Sequence, residues 1–189
     1  MRDALAAAGF DIVQPFDGAH VDPSRRAGLL IGNTRALWPK FVANQPAGPD
    51  PLDRYVEQHI DPLVPAGGRV FYVHRKYDGK YIGFQSLAVA AGLGAMSETH
   101  FVIHPEYGSW FALRAAIVVE GEPPRPAQIP RPCQCGATCH EALSRAVGNT
   151  DWRAWLAVRD ACPVGRAYRY SEDQLAYHYI QGLLRTPGG

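Results

Sequence analysis

The chain has 189 residues, 47% of them hydrophobic and 11% aromatic, which is enough apolar material for one packed core and too little for two independent enzyme domains. Nineteen basic residues stand against eighteen acidic ones, so a net charge of +1 provides no bulk field to draw in nucleic acid or an anionic membrane. The longest apolar runs, 86–96 and 110–120, fall well short of the roughly 20 residues of a membrane span, and Met1-Arg2-Asp3-Ala4-Leu5 carries an acid where a secretion signal wants a basic stretch. The expectation is a soluble, cytoplasmic protein of one domain spanning 1–189.

In chain order, Ala27 to Ile31 reads as a short buried strand closed by Gly32-Asn33. Thr34 then caps a helical stretch through Trp38 and Phe41, with Pro39 in its first turn or kinking it. After a loop with three prolines (Gln45 to Pro51), Leu52, Tyr55, Val56, His59 and Ile60 form the stripe of an amphipathic helix. Arg69 to Arg75, rich in aromatic and β-branched residues, reads as a strand with Asp78-Gly79 as its turn. Gln85 to Ala91 reads as a small-residue helix stopped by Gly92. His100–His104 and Trp110–Val119 read as two strands of an antiparallel hairpin around Pro105–Ser109. The proline-dense stretch from Glu122 leads to the cysteines, so 122–140 is a Pro/Cys-rich connecting segment. Helices follow at Glu141–Val147, Trp152–Ala161 and Ser171–Leu184, the last opened by a Ser171/Gln174 capping box. The pattern is that of an α+β domain.

Cys133, Cys135 and Cys139 fall within seven residues, and Cys162-Pro163 follows later. In a reducing compartment such a cluster reads as metal-binding or redox-active before it reads as disulfides. Four thiolates suit one zinc or iron–sulfur centre. Free or redox-paired thiols and inert packing are the competing readings.

The run Ile103-His104-Pro105-Glu106-Tyr107-Gly108-Ser109-Trp110-Phe111-Ala112-Leu113-Arg114 resembles the Ile-His-Pro-x-[Phe/Tyr]-Gly-x-Trp-Phe-Ala-Ile-Arg signature of the CblC family, the cobalamin-processing decyanase/dealkylase of vitamin trafficking. Trp152-Arg153-x-Trp155, Arg159-Asp160-Ala161 and Arg169-Tyr170-Ser171-Glu172-Asp173-Gln174 resemble that family's C-terminal stretch, with a looser match at 11–16 and 27–41. Ala91-Gly92-Leu93-Gly94 and Gly108-Ser109 also resemble the cobalamin-dependent epoxyqueuosine reductase, which carries ferredoxin-like cysteines just after this region. Here the cysteine spacing departs from that motif and occurs once, so an iron–sulfur centre feeding electrons to cobalt is a separate expectation.

The resemblance implies a nitroreductase-like antiparallel sheet flanked by helices that binds cobalamin base-off. It implies removal of the upper axial ligand, by reductive loss of cyanide with a reduced flavin or by transfer of an alkyl group to glutathione. Arg114, Arg159 and Arg185 correspond to the glutathione-associated arginines, and guanidinium forks suit its two carboxylates. Gly92, Gly94, Thr99, Trp110, Leu113 and Tyr170 fall where the family lines the corrin. His104, an attractive metal ligand by type, is expected to hydrogen-bond within its turn instead. Val102 stands where some members carry a cysteine, and the stretch before the first strand of the hairpin is shortened. The alternatives are a cobalamin-dependent reductase acting on another substrate and a carrier passing cobalamin to a downstream trafficking protein. Monomer and homodimer both remain open.

Overall fold

A computed structural model of the protein describes residues 1–125, 128 and 135–184. Its elements in chain order are α1 (Arg2–Ala7), β1 (Ile12–Asp17), β2 (Ala27–Asn33), α2 (Leu37–Ala43), α3 (Pro51–Ile60), β3 (Arg69–Tyr72), β4 (Lys76–Tyr77), β5 (Lys80–Tyr81), α4 (Phe84–Ala90), β6 (Ala95–Met96), β7 (Val102–Ile103), β8 (Ala112–Val119), α5 (Ala137–Ala146), α6 (Trp152–Ala161) and α7 (Glu172–Leu184).

The main sheet is antiparallel with strand order β1-β2-β8-β3. Pro15 lies in β1, an edge strand, where its missing N–H breaks no ladder. One face of the sheet presents Ile31, Ala115 and Ile117 to Leu5, Phe10, Phe41, Tyr55, Val56 and Ile60 of the N-terminal helices. The expected stripe of α3 is thus its buried face, and each large side chain buried there contributes about 1.5–3 kcal/mol. The opposite face presents Leu30, Phe71, Ala116 and Val118 to Phe84, Leu87 and Ala88 of α4. The expected helix stop after α4 is present, with Gly92 at φ 68°. Asp78 and Gly79, at φ 50° and 77°, make the turn between β4 and β5.

The expected hairpin of His100–His104 with Trp110–Val119 does not form. β8 is central, with β2 on one edge and β3 on the other, so neither edge is left for β7. β7 pairs instead with β6, where Gly94 permits the approach: a Cβ there would stand 2.6 Å from the Ile103 carbonyl oxygen. The residues between β7 and β8 close on themselves. His104 and Gly108 exchange backbone hydrogen bonds at 2.9 and 3.0 Å, and His104 Nδ1 accepts the N–H groups of Glu106 and Tyr107, both at 3.1 Å. The histidine is engaged in its turn, as the sequence led us to expect.

The C-terminal helices sit beside this turn. α5 packs on α6 through Ala142, Ala146 and Val158, while Leu156 and Leu175 close over Trp110 and Tyr170. Only half of the expected capping box is seen: the Gln174 N–H donates to Ser171 Oγ at 3.3 Å, but the Gln174 side chain faces inward.

Candidate functional site

The site is built around a β-bulge. The β2–β8 register runs Ile31 to Ala115 and then Gly32 to Leu113, so Arg114 has no partner across the ladder. Strict alternation from Val118 and Ala116 would turn Arg114 toward α4. The bulge re-aims it to the other side, where Tyr170, Asp53 and Tyr177 act on it electrostatically. Leu113, expected beside it, packs with the α4 cluster on the opposite face.

Arg114 is 9% exposed, and burial lowers its pKa. Its Nε donates to Asn33 Oδ1 at 2.7 Å, and its Nη2 has no hydrogen-bond partner. A short polar chain orients it. The Asp11 carboxylate accepts from the Thr34 N–H and hydroxyl, the Thr34 carbonyl accepts from Asn33 Nδ2 at 2.7 Å, and Asn33 holds the arginine.

Arg159 comes from α6. Its Nη2 donates to the Ser109 carbonyl at 2.7 Å and its Nη1 to the Tyr179 hydroxyl at 3.3 Å. Its guanidinium carbon lies 4.2 Å from the Trp110 ring centre and 5.1 Å from that of Tyr170, a double cation–π contact. Trp110 and Tyr170 meet edge-to-face at 5.7 Å. Burial raises the Tyr170 pKa, partly offset by Arg159 and Arg114. Arg169 is committed elsewhere, to Asp160 at 2.7 Å and Glu172 at 2.6 Å.

Ser109 Oγ, Trp110 Nε1, Arg114 Nη2, Arg159 Nε and Gln174 Oε1 are all buried, and none has a hydrogen-bond partner among the described residues. An orphaned buried donor costs about 1–3 kcal/mol and an uncompensated buried charge costs more. Three of these atoms are N–H donors and two belong to guanidinium groups. The arrangement is therefore suited to an acceptor with negative charge, and a carboxylate matches it. An open cleft of about 410 Å³, lined by Arg35, Trp38, Arg169, Ser171 and Gln174 among others, borders the cluster.

Sequence reasoning thus located Arg114, Trp110, Arg159 and Tyr170, and the fold brings these four together. Trp110 and Tyr170 are 0% and 4% exposed, so they wall the cluster rather than offer a face to a ring as large as a corrin. The other expected corrin positions lie apart. Gly92 ends α4, Gly94 admits β7, and the Thr99 hydroxyl meets Ser97 Oγ at 2.9 Å in the β6–β7 turn. Arg185 and Cys133 lie outside the described residues. Cys139 and Cys162 are buried where α5 packs on α6, with Cys139 Sγ 3.8 Å from the Ala161 carbonyl, and Cys135 is half-buried with its pKa raised by burial. Among the described residues, no group of three or more His, Cys, Asp or Glu side chains is placed to hold a metal ion.

His178 of α7 was not anticipated. Burial, then Arg114 and Arg159, lower its pKa to about 3. The signal that was available is the i, i+4 spacing from Gln174, which puts both on one face of α7.

No protein-family model matches the chain. An 81-residue stretch covering 40% of it is 38% identical to the Homo sapiens protein named cyanocobalamin reductase / alkylcobalamin dealkylase. A 76-residue stretch is 37% identical to the Bos taurus protein of the same name. In both cases the match spans 26% of the relative, about a quarter of its length. The fold is similar to the crystal structure of a C. elegans B12-trafficking protein CblC, with TM-score 0.66 at 16% identity over 93% of this chain and 87% of that one. The chain resembles the CblC proteins in sequence and in fold. A weaker likeness, with TM-score 0.45 at 15% identity over 76% of this chain and 50% of the other, is to epoxyqueuosine reductase with a tRNA stem loop. The CblC likeness agrees with the nitroreductase-like α+β sheet expected from the signature. No helix among the described residues is long and apolar enough to cross a membrane.

Proposed function

We propose that this protein binds a cobalamin and removes its upper axial ligand, with glutathione as the thiol cosubstrate for alkyl groups and a reduced flavin as electron donor for cyanide. The activity for which the human and bovine relatives are named supports the reaction class, and the CblC-like fold supports the scaffold. The observation that carries the reading is the buried Arg114–Arg159 cluster, whose unpaired donors fit a carboxylate ligand.

In this reading Arg114 and Arg159 hold the carboxylates of glutathione, and the Asp11–Thr34–Asn33 chain fixes the fork of Arg114 before the ligand arrives. The Trp110 and Tyr170 rings keep water from the guanidinium groups, which strengthens each charge-assisted bond. The thiolate attacks the cobalt-bound carbon, a sulfur–carbon bond forms, and the electron pair of the broken cobalt–carbon bond stays on the metal, taking Co(III) to Co(I). For cyanocobalamin one electron from the flavin gives Co(II), and cyanide leaves as the anion. Base-off binding assists this step, because losing the lower nitrogen ligand makes cobalt easier to reduce.

Absorbance of cyanocobalamin and methylcobalamin on mixing with the protein tests the proposal. Expected are a base-off spectrum, its conversion to cob(II)alamin with reduced flavin, and S-methylglutathione from methylcobalamin. A base-off spectrum that never changes with thiol or flavin would overturn the enzymatic reading in favour of a carrier, and no spectral change at all would overturn both.

A further inference from the structure

We infer that Gln174 and His178 complete the Arg114–Arg159 site, and that this site takes up a dianionic ligand, of which a dicarboxylate is the fitting class, together with one proton that comes to rest on His178. The inference deepens the proposed function, resting on the reading of that cluster as a carboxylate site.

The geometry begins with Gln174, a fully buried side chain on α7. Its Oε1 has no partner and its Nε2 stands 3.5 Å from His178 Nε2, the limit of a hydrogen bond. A primary amide carries both a donor and an acceptor on one rotor. Facing a neutral imidazole it offers N–H to the ring nitrogen; facing an imidazolium it offers the oxygen. Gln174 therefore serves either charge state of His178, and its unused oxygen is the acceptor that the protonated ring would need.

Burial first, and then the charges around His178, keep the ring neutral without a ligand. Arg114 faces it from β8 and Arg159 from α6, and both repel a proton on the ring. Among the described residues, the other groups packed around it bring no negative charge. Tyr170 lies at 5.7 Å between ring centres, Trp38 of α2 at 6.3 Å, and Tyr177 on its own helix at 5.8 Å. Asp53 of α3 acts on Arg114 from outside this group. An arriving dianion cancels the two guanidinium charges and leaves burial as the remaining obstacle. It also adds a negative neighbour, which favours the imidazolium. By reciprocity, a ligand that makes His178 easier to protonate binds more tightly as protons become available.

Sulfate is the first probe, because it stays doubly charged across the useful pH range and needs neither cobalamin nor a thiol. In protein labelled with ¹⁵N-histidine, the His178 resonance is assigned by its loss in His178→Gln and titrated with and without saturating sulfate. The midpoint is expected to move up by about 2.5 pH units, from about 3 to about 5.5, the shift that a tenfold affinity gain at pH 4.5 requires. Sulfate affinity is expected to rise about tenfold between pH 7 and 4.5 in the wild type and to stay within about twofold in His178→Gln. Sulfate bound with the His178 midpoint unmoved would overturn the inference, as would a pH dependence that survives in the variant or no binding at pH 4.5 up to about 0.1 M. The spectral test on methylcobalamin reads a different event, so either proposal can fail while the other stands.

Discussion

Gly108 and Gly165 meet backbone to backbone. A Cβ on Gly108 would stand 2.0 Å from the Val164 carbonyl oxygen, and one on Gly165 would stand 2.2 Å from the Tyr107 carbonyl carbon and oxygen. Both residues also adopt positive φ, 58° and 75°, so each is fixed as glycine twice over. Their contact seats the segment after α6 on the turn before Trp110, and the Tyr168 hydroxyl donating to Glu106 closes the same seam. Arg159 and Tyr170 reach Trp110 across this junction. Gly165→Ala should cost about 2 kcal/mol or more in urea unfolding, from the left-handed conformation and the clash together. It should also weaken anion binding without any substitution at the site. Unchanged stability would mean that the two segments are not held this closely.

The sequence pattern carried α3 because its stripe has a single face to bury, and β2 because its continuous apolar run is buried on both sides of the sheet. It carried the Ile103–Arg114 run because motif residues are legible without knowing their partners. It misjudged the partner of β8, since whether a strand is central or part of a hairpin depends on β2 and β3, which arrive from elsewhere in the chain. The bulge at Ile31/Gly32 leaves only Gly32 as its mark in the residue types, which reads equally as the end of β2, yet it decides which face Arg114 and Leu113 occupy. His178 gained its meaning only when Arg114 and Arg159 were placed around it.

Arg114 should be expendable for folding and required for thiol chemistry. Its Nη2 is buried without a partner, so the guanidinium costs desolvation that one bond to Asn33 does not offset. Arg114→Met should leave stability within about 1 kcal/mol of the wild type, or raise it. Glutathione-dependent demethylation of methylcobalamin should fall at least about 100-fold in the same variant. Arg114→Lys should recover little, because an ammonium does not reproduce the fork. A loss of about 3–5 kcal/mol on Arg114→Met would instead mark the arginine as structural.

The three described cysteines should differ in reactivity. Cys139 and Cys162 are 5% and 6% exposed, whereas Cys135 is half-buried. In a Cys133→Ser background a chromogenic disulfide reagent should therefore label Cys135 in the native protein, slowly at pH 7 because burial raises its pKa. The other two thiols should react only on unfolding. Fast labelling of all three would show that α5 and α6 separate readily.

His178 should make the protein acid-sensitive in a way that anions relieve. Its pKa is lowered to about 3 in the folded chain, while the unfolded chain protonates it near pH 6.5. Below pH 6.5 the unfolded state therefore binds a proton that the folded state refuses, so this histidine's share of stability is full above that pH and is lost as pH falls toward 3. The slope from one such group approaches about 1.4 kcal/mol per pH unit. Urea unfolding between pH 6.5 and 4, in a buffer free of divalent anions, should show a steeper loss in the wild type than in His178→Gln. Sulfate should flatten the wild-type slope and leave that of the variant unchanged, because the folded protein then accepts the proton too. Equal slopes in the two proteins would remove His178 from the titrating core of the site.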